Sequence, residues 1–164
     1  MIQITTDRLI LRTITPAMMA AIFDGSLEGK YGLIVSEEWL DEKGKDLQDF
    51  QKIMDEQAAH DGYLMWLMAE QESGIIVGDL GFIGRPDNDG AVEMGYGIAK
   101  KWHGQGYATE AVEALIGWAM LQESIDTVRA RCLPDNAASV RVMEKNGMIC
   151  VGEKEGHLHY EIRK

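Results

Sequence analysis

Gly104 and Gly106 stand between a strand-like stretch and a helix-like one, a placement that suits an anion. The first amides of a helix have no intrahelical partner and lie at the positive end of its dipole. A glycine loop that leaves them open therefore makes a seat for phosphate. Lys100, Lys101 and His103 add positive or polarisable groups at that loop, in a chain whose formal net charge is -11. The same glycines also serve a plain tight turn, which is the alternative. Two further positions bear groups able to move a proton. Glu93 lies on a strand face otherwise made of Gly95 and Gly97, where it is either a base or the ion-pair partner of an arginine. Ser139 falls near the start of a second helix, one turn before Met143 and on the same face, either as a proton donor or as a plain polar residue of the first turn. Asn136 can cap that helix, and Arg141 and Lys145, four residues apart, either meet a phosphate or form a solvated basic face.

The elements that must hold these groups follow from periodicity. Between residues 92 and 98, Val92, Met94, Tyr96 and Ile98 alternate with Glu93, Gly95 and Gly97, the pattern of a strand with one packed face and one thin one. From Ala108 onward, Ala111, Val112, Leu115, Ile116 and Ala119 recur at helical spacing and predict a helix ending near Glu123. Upstream, residues 6–14 read as a first strand, and Thr15 and Pro16 open a helix reaching about Phe23. Residues 24–30 read as loop. Residues 37–59 read as one broken or two short helices with the break at Gly44, forming a surface helix or an amphipathic cover over a pocket. Residues 63–69 and 75–83 form a hairpin about Gly74, and a turn at 84–90 leads into the central strand. A strand at 127–132, a helix from Asn136 to about Lys145 ended by Gly147, and strands at 148–152 and 157–162 complete the chain. His157, His159 and Tyr160 fall on the last strand in ordinary surface or core roles. No repeat or linker interrupts the 164 residues, which predicts a single domain spanning 1–164.

The run Lys101, Trp102, His103, Gly104, Gln105, Gly106, Tyr107, Ala108, Thr109 resembles the coenzyme A pyrophosphate loop of the GNAT N-acetyltransferase superfamily, with Lys101 where that pattern has Gln or Arg. The stretch from Asn136 through Ser139 to Glu144, Lys145 and Gly147 is similar to the helix with which the same family ends its coenzyme site. With Thr6, Asp7, Arg8, Leu9 and Arg12 included, the resemblance covers nearly the whole chain and is closest to the branch of ribosomal-protein N-terminal (alanine or serine) acetyltransferases. It implies an α/β (α+β type) acyl-CoA N-acyltransferase fold, with a mixed, mostly antiparallel sheet of about seven strands and helices on both faces. It also implies acetyl-CoA as donor, with pyrophosphate on main-chain amides of His103, Gly104, Gln105, Gly106, Tyr107, Ala108 and Thr109, and pantetheine along Gly97 and Ile98 and against Asn136. Glu93 matches the glutamate that takes the amine proton through water, and Ser139 the serine that protonates the thiolate. Met143 stands where many members carry a tyrosine acid, and methionine has no proton to give.

Bulk properties narrow the partners. A chain that is 46% hydrophobic and 26% charged has ordinary globular composition. Its net charge opposes nucleic acid and anionic membrane and favours the approach of a cationic amine. The first residues lack the basic start and apolar run of a signal peptide, and no window approaches ~18 consecutive apolar residues, so a cytoplasmic protein is expected. Cys132 and Cys150 lack metal-ligand spacing and read as reduced core thiols, and no metal site is expected. The expected activity is acetyl transfer to a primary amine by direct attack in a ternary complex, from a monomer or homodimer. The acceptor is a protein N-terminus or a small cationic amine such as a polyamine, amino acid or amino-sugar antibiotic. A non-catalytic acyl-CoA-binding module is the rival of another class.

Overall fold

The computed structural model describes residues 1–56 and 61–164. The first element differs from expectation. Residues 6–8 form a turn, not strand, because the Thr6 amide donates to the Leu9 carbonyl (2.9 Å) while the Thr6 hydroxyl accepts from the Leu9 amide (3.0 Å). Two strands result, β1 (Gln3–Thr5) and β2 (Leu9–Thr13), paired antiparallel with Gln3 opposite Arg12. The Thr15 hydroxyl accepts from the Met18 amide (3.2 Å), Pro16 occupies the first turn, and Gly25 at φ 75° ends α1 (Pro16–Asp24). Where a loop was expected, Leu27 buries its side chain and anchors the short helix α2 (Leu27–Tyr31).

Gly44 does not break the next helix. Helix α3 (Glu37–Glu56) runs through it, since the ~1 kcal/mol that an interior glycine costs is outweighed by burying Trp39, Leu47 and Met54 along one stripe. The far end of the predicted segment, at 57–59, lies outside the described residues. The hairpin at Gly74 forms as read, from β3 (Met65–Glu70) and β4 (Ile76–Phe82), and β4 continues antiparallel into β5 (Ala91–Ile98). After a 3-10 turn at Lys100–Trp102 come α4 (Tyr107–Met120), β6 (Thr127–Cys132), α5 (Ala137–Lys145), β7 (Ile149–Lys154) and β8 (His157–Arg163).

The sheet has eight strands rather than about seven, the addition being the N-terminal β1, in the order β1-β2-β3-β4-β5-β6-β8-β7. Every pairing is antiparallel except β5 with β6. Helix α4 covers one face, where Trp118 meets Trp66 edge-on at 5.4 Å between ring centres and Tyr63 at 5.7 Å. Helix α3 covers the other through Trp39. Cys132 is buried as expected, but Cys150 lies on the outermost strand and is exposed, so it is not a core thiol. No helix among the described residues is long and apolar enough to cross a membrane.

Candidate active site

The site begins where β5 and β6 part. Their parallel ladder runs from Ala91 opposite Thr127 to Glu93 opposite Arg129, whereas β5 pairs with β4 from Met94 to Ile98. The second half of β5 thus turns one backbone edge toward a gap. The Ala99 amide donates to the Val77 carbonyl (2.9 Å), which makes Ile98 and Gly78 a non-hydrogen-bonded pair. The N–H and C=O of Ile98, and by the same alternation those of Tyr96, therefore point into the gap. Gly97 contributes its bare face instead. The Ile98 carbonyl accepts from His103 Nε2 at 2.8 Å, so the His103 ring ties the loop to the strand rather than reaching outward.

Beyond this floor the loop folds as the glycines require. Gly104 and Gly106 adopt φ 74° and 82°, left-handed values that favour glycine, and Gly106 immediately precedes α4. The first intrahelical bond runs from the Glu110 amide to the Gly106 carbonyl, which leaves the preceding amides at the open terminus. Arg8 braces this loop from β2's turn. Its guanidinium donates to the Gln105 carbonyl (2.8 Å), pairs with Glu110 (2.7 Å) and stacks over the Tyr107 ring at 4.7 Å. Burial works to raise the Glu110 carboxyl, but hydrogen bonds from Thr6 and from the Arg8 amide and side chain outweigh it and hold the group below its ordinary value. Arg8 received no role from sequence; the only signal was its place in the N-terminal part of the family resemblance.

Helix α5 forms the opposite wall. The Asn136 side chain accepts from the Ser139 amide (3.1 Å), so this oxygen caps the helix. The Ser139 carbonyl accepts from the Tyr96 hydroxyl (3.3 Å) across the gap, and burial pushes the Tyr96 phenol up from its usual range. Met143 is buried on the same helix. A cleft of about 530 Å³ results, the size of a small-molecule site. Of the residues weighed for the site from sequence, Glu93, Lys100, Lys101 and Gln105 do not line it, whereas Ser139, Asn136, the remaining loop residues, Arg141 and Lys145 do. Lys101 instead pairs with Glu38 of α3 (3.0 Å).

Glu93 stands apart from that assembly. Its carboxylate pairs with Arg131 Nε at 2.9 Å, the ion pair weighed from sequence, and it lines neither the cleft nor the groove behind it. That groove, of about 240 Å³, lies on the α3 side of β5 and shares Tyr96 with the cleft. It holds a group that sequence reasoning missed, Asp79, within a strand read only as apolar. Its carboxylate accepts from Trp39 Nε1 (2.9 Å) and pairs with Lys43 (3.3 Å). Burial pushes the Asp79 carboxyl up, and Lys43 and Trp39 pull it partly back.

Residues 8–149 match the family model described as an acetyltransferase (GNAT) domain. The chain belongs to the GNAT acetyltransferases. The uncharacterized N-acetyltransferase YjdG of Bacillus subtilis is 29% identical over 163 residues, covering 98% of this chain and 97% of its own. Among solved structures, an acetyltransferase of the GNAT family from Bacillus anthracis has a TM-score of 0.71 at 20% identity, covering 99% of this chain and 98% of its own. RimL, a ribosomal-protein alpha-N-acetyltransferase solved in complex with coenzyme A, has a TM-score of 0.72 at 21% identity over 99% of this chain and 98% of its own. At such identities the structural likeness is one of fold, the acyl-CoA N-acyltransferase fold that the eight-stranded sheet displays. For this GNAT chain the family establishes an acetyltransferase and implies acetyl-CoA as its donor.

Proposed function

We propose that residues 1–164 work as one domain that acetylates a primary amine by direct attack in a ternary complex, the amine being a protein N-terminus or a small cation. The observation that carries this reading is the parted strand pair, which joins an open helix terminus to an unpaired β5 edge and leaves Tyr96 between that cleft and a second groove. The residues present fit the donor. Amides at Gly104 to Thr109 suit a pyrophosphate, the Ile98 and Tyr96 backbone suits an amide-bearing arm, and Arg141 and Lys145 suit a further phosphate. Bound acetyl-CoA supplies a thioester acetyl: a C–N bond forms as the C–S bond breaks, the amine loses a proton and the thiolate sulfur gains one.

The chain's own groups manage those protons. Ser139, on the cleft wall, holds the proton for sulfur, and the Tyr96 phenol, joined to the Ser139 carbonyl, is the second donor within the same wall. Glu93, two residues from Gly95 on the same strand face, takes the amine proton through water. Incubating the protein with acetyl-CoA and a panel of amines tests the reading. The panel holds peptides beginning with Ala, Ser or Met, polyamines, amino acids and aminoglycosides. Thiol release matched by an acetylated amine in mass spectrometry is the expected result, with a rate constant for the amine that falls as salt rises. Coenzyme binding without product from any amine would favour the binding-module reading.

A further inference from the structure

Asp79 is a buried carboxylate on a strand that the coenzyme cleft does not use, and its surroundings have the form of a receptor for a cation. In the β4–β5 ladder Asp79 stands directly opposite Gly97, so its side chain and the bare face of Gly97 share one side of the sheet. Asp79 is only 6% exposed. Its two oxygens are divided, Oδ2 accepting from the Trp39 indole and Oδ1 facing the Lys43 ammonium, both partners coming from α3. A Cβ placed on Gly97 would lie 3.5 Å from Lys43 Nζ, so an ammonium already rests against the strand beside the cleft.

The ground next to it is open. A Cβ on Gly95, two residues back on the same face, would meet nothing within 4 Å, and Gly95 is exposed in mid-strand. Glycine in a strand interior costs stability and marks places where something approaches the backbone closely. Around this floor Phe50, Met65 and Ile83 supply apolar walls, and Tyr96 lines both the groove and the cleft. A buried ion pair resists loss of one partner but tolerates exchange of one cation for another, because the carboxylate stays compensated. Lys43, more exposed than Asp79 and on a flexible stem, is the partner free to yield.

Building on the acetyltransferase reading above, we propose that Asp79 is the acceptor-binding carboxylate: it receives the ammonium of a primary amine carried on a short apolar stem, with Lys43 as the resident cation that the acceptor displaces. Trp39 orients the carboxylate, and Gly95 and Gly97 leave room for the amine to reach the cleft. Specificity for charge therefore lies in Asp79 and specificity for the stem in the groove's apolar walls.

Titration of phenethylamine into the protein saturated with coenzyme A, followed by NMR with phenethyl alcohol as uncharged control, tests this without turnover. The parent binds the amine and not the alcohol. Asp79→Asn keeps an oxygen for Trp39 but loses the charge, and at neutral pH its amine affinity falls about tenfold or more while coenzyme affinity and Tm hold. Lys43→Met removes the competitor and tightens the amine. Equal amine affinity in parent and Asp79→Asn, a lower Tm as the sole effect of that change, or no amine binding by the parent overturns the assignment and leaves a brace between α3 and the sheet. If Asp79→Asn does not fold, Lys43→Met decides, and unchanged amine affinity there is equally fatal. Amine binding that depends on Asp79 without any acetylated product would sink the acetyltransferase reading and keep the site; transfer that is indifferent to Asp79 does the reverse.

Discussion

The two hollows on either side of Tyr96 are built from different materials. The cleft toward α4 and α5 is mainly backbone: an open helix terminus, left-handed glycines, the free edge of β5 and a capped helix start. The groove toward α3 is mainly side chains, with one buried carboxylate set among apolar walls. Backbone donors present the same geometry whatever the flanking residues, so the cleft suits a ligand common to a family. A side-chain groove changes with single substitutions and suits whatever distinguishes one acceptor from another.

Variants on the cleft wall should produce the largest effects. If Ser139 gives the proton to sulfur, Ser139→Ala lowers kcat about 100-fold or more with acetyl-CoA affinity unchanged, since general acid help is of that size. A donor with a better leaving thiol should recover part of the rate. Should Tyr96→Phe show the larger kcat loss and the better recovery, the phenol is the acid and Ser139 serves through its backbone.

Next in size is Gly106→Val. A β-branched residue at φ 82° is strained, and its Cβ would press to 3.3 Å from Arg8 Nη2, so the guanidinium that braces the loop must give way. Calorimetry should show acetyl-CoA affinity lower by about tenfold or more, with phenethylamine affinity nearly unchanged. A parallel fall in both would mean that the two hollows are not separable and would break the comparison.

This division also explains what the sequence revealed. The glycine loop, the Asn136 cap and the helix ended by Gly147 are local chemistry, each encoded within a few residues, and all three form as read. Arg8 and Asp79 are legible only through distant partners. Arg8 meets Glu110 across 102 positions, and Asp79 meets Trp39 across 40, inside a strand whose periodicity speaks only of packing. Gly44 misled for the related reason that a local break signal was overridden by the buried stripe around it. Glu93 was found by its strand position, but its arginine partner belongs to the neighbouring strand.

Glu93→Gln gives a smaller, pH-dependent effect. If the carboxylate assists proton removal through water, the rate loss is greatest at low pH, where few amines are already neutral, and shrinks as pH rises. A loss of stability with a flat pH profile in the rate ratio would mean that the pair with Arg131 is structural only.

The smallest effect is read as a sign, in two carboxylates, Glu110 bracing the glycine loop through Arg8 and Asp79 in the groove. Glu110 has a folded-state pKa below its ordinary value, so its contribution to stability is present above the unfolded pKa and fades as pH falls through the folded one. The stability difference between parent and Glu110→Gln should therefore shrink in acid. Asp79 has a folded-state pKa above its ordinary value, with Lys43 and Asp46 of α3 as the charged groups acting on it. The folded state then binds the extra proton in the window between the two pKa values, and stability falls as pH rises through the folded one. Measured by urea unfolding, the difference between parent and Asp79→Asn should grow as pH drops toward the ordinary aspartate range, opposite in slope to the Glu110 pair. Parallel slopes would mean that Asp79 is held ionised by Lys43 as firmly as Glu110 is by Arg8, leaving the groove a closed ion pair rather than a cation receptor with an exchangeable occupant.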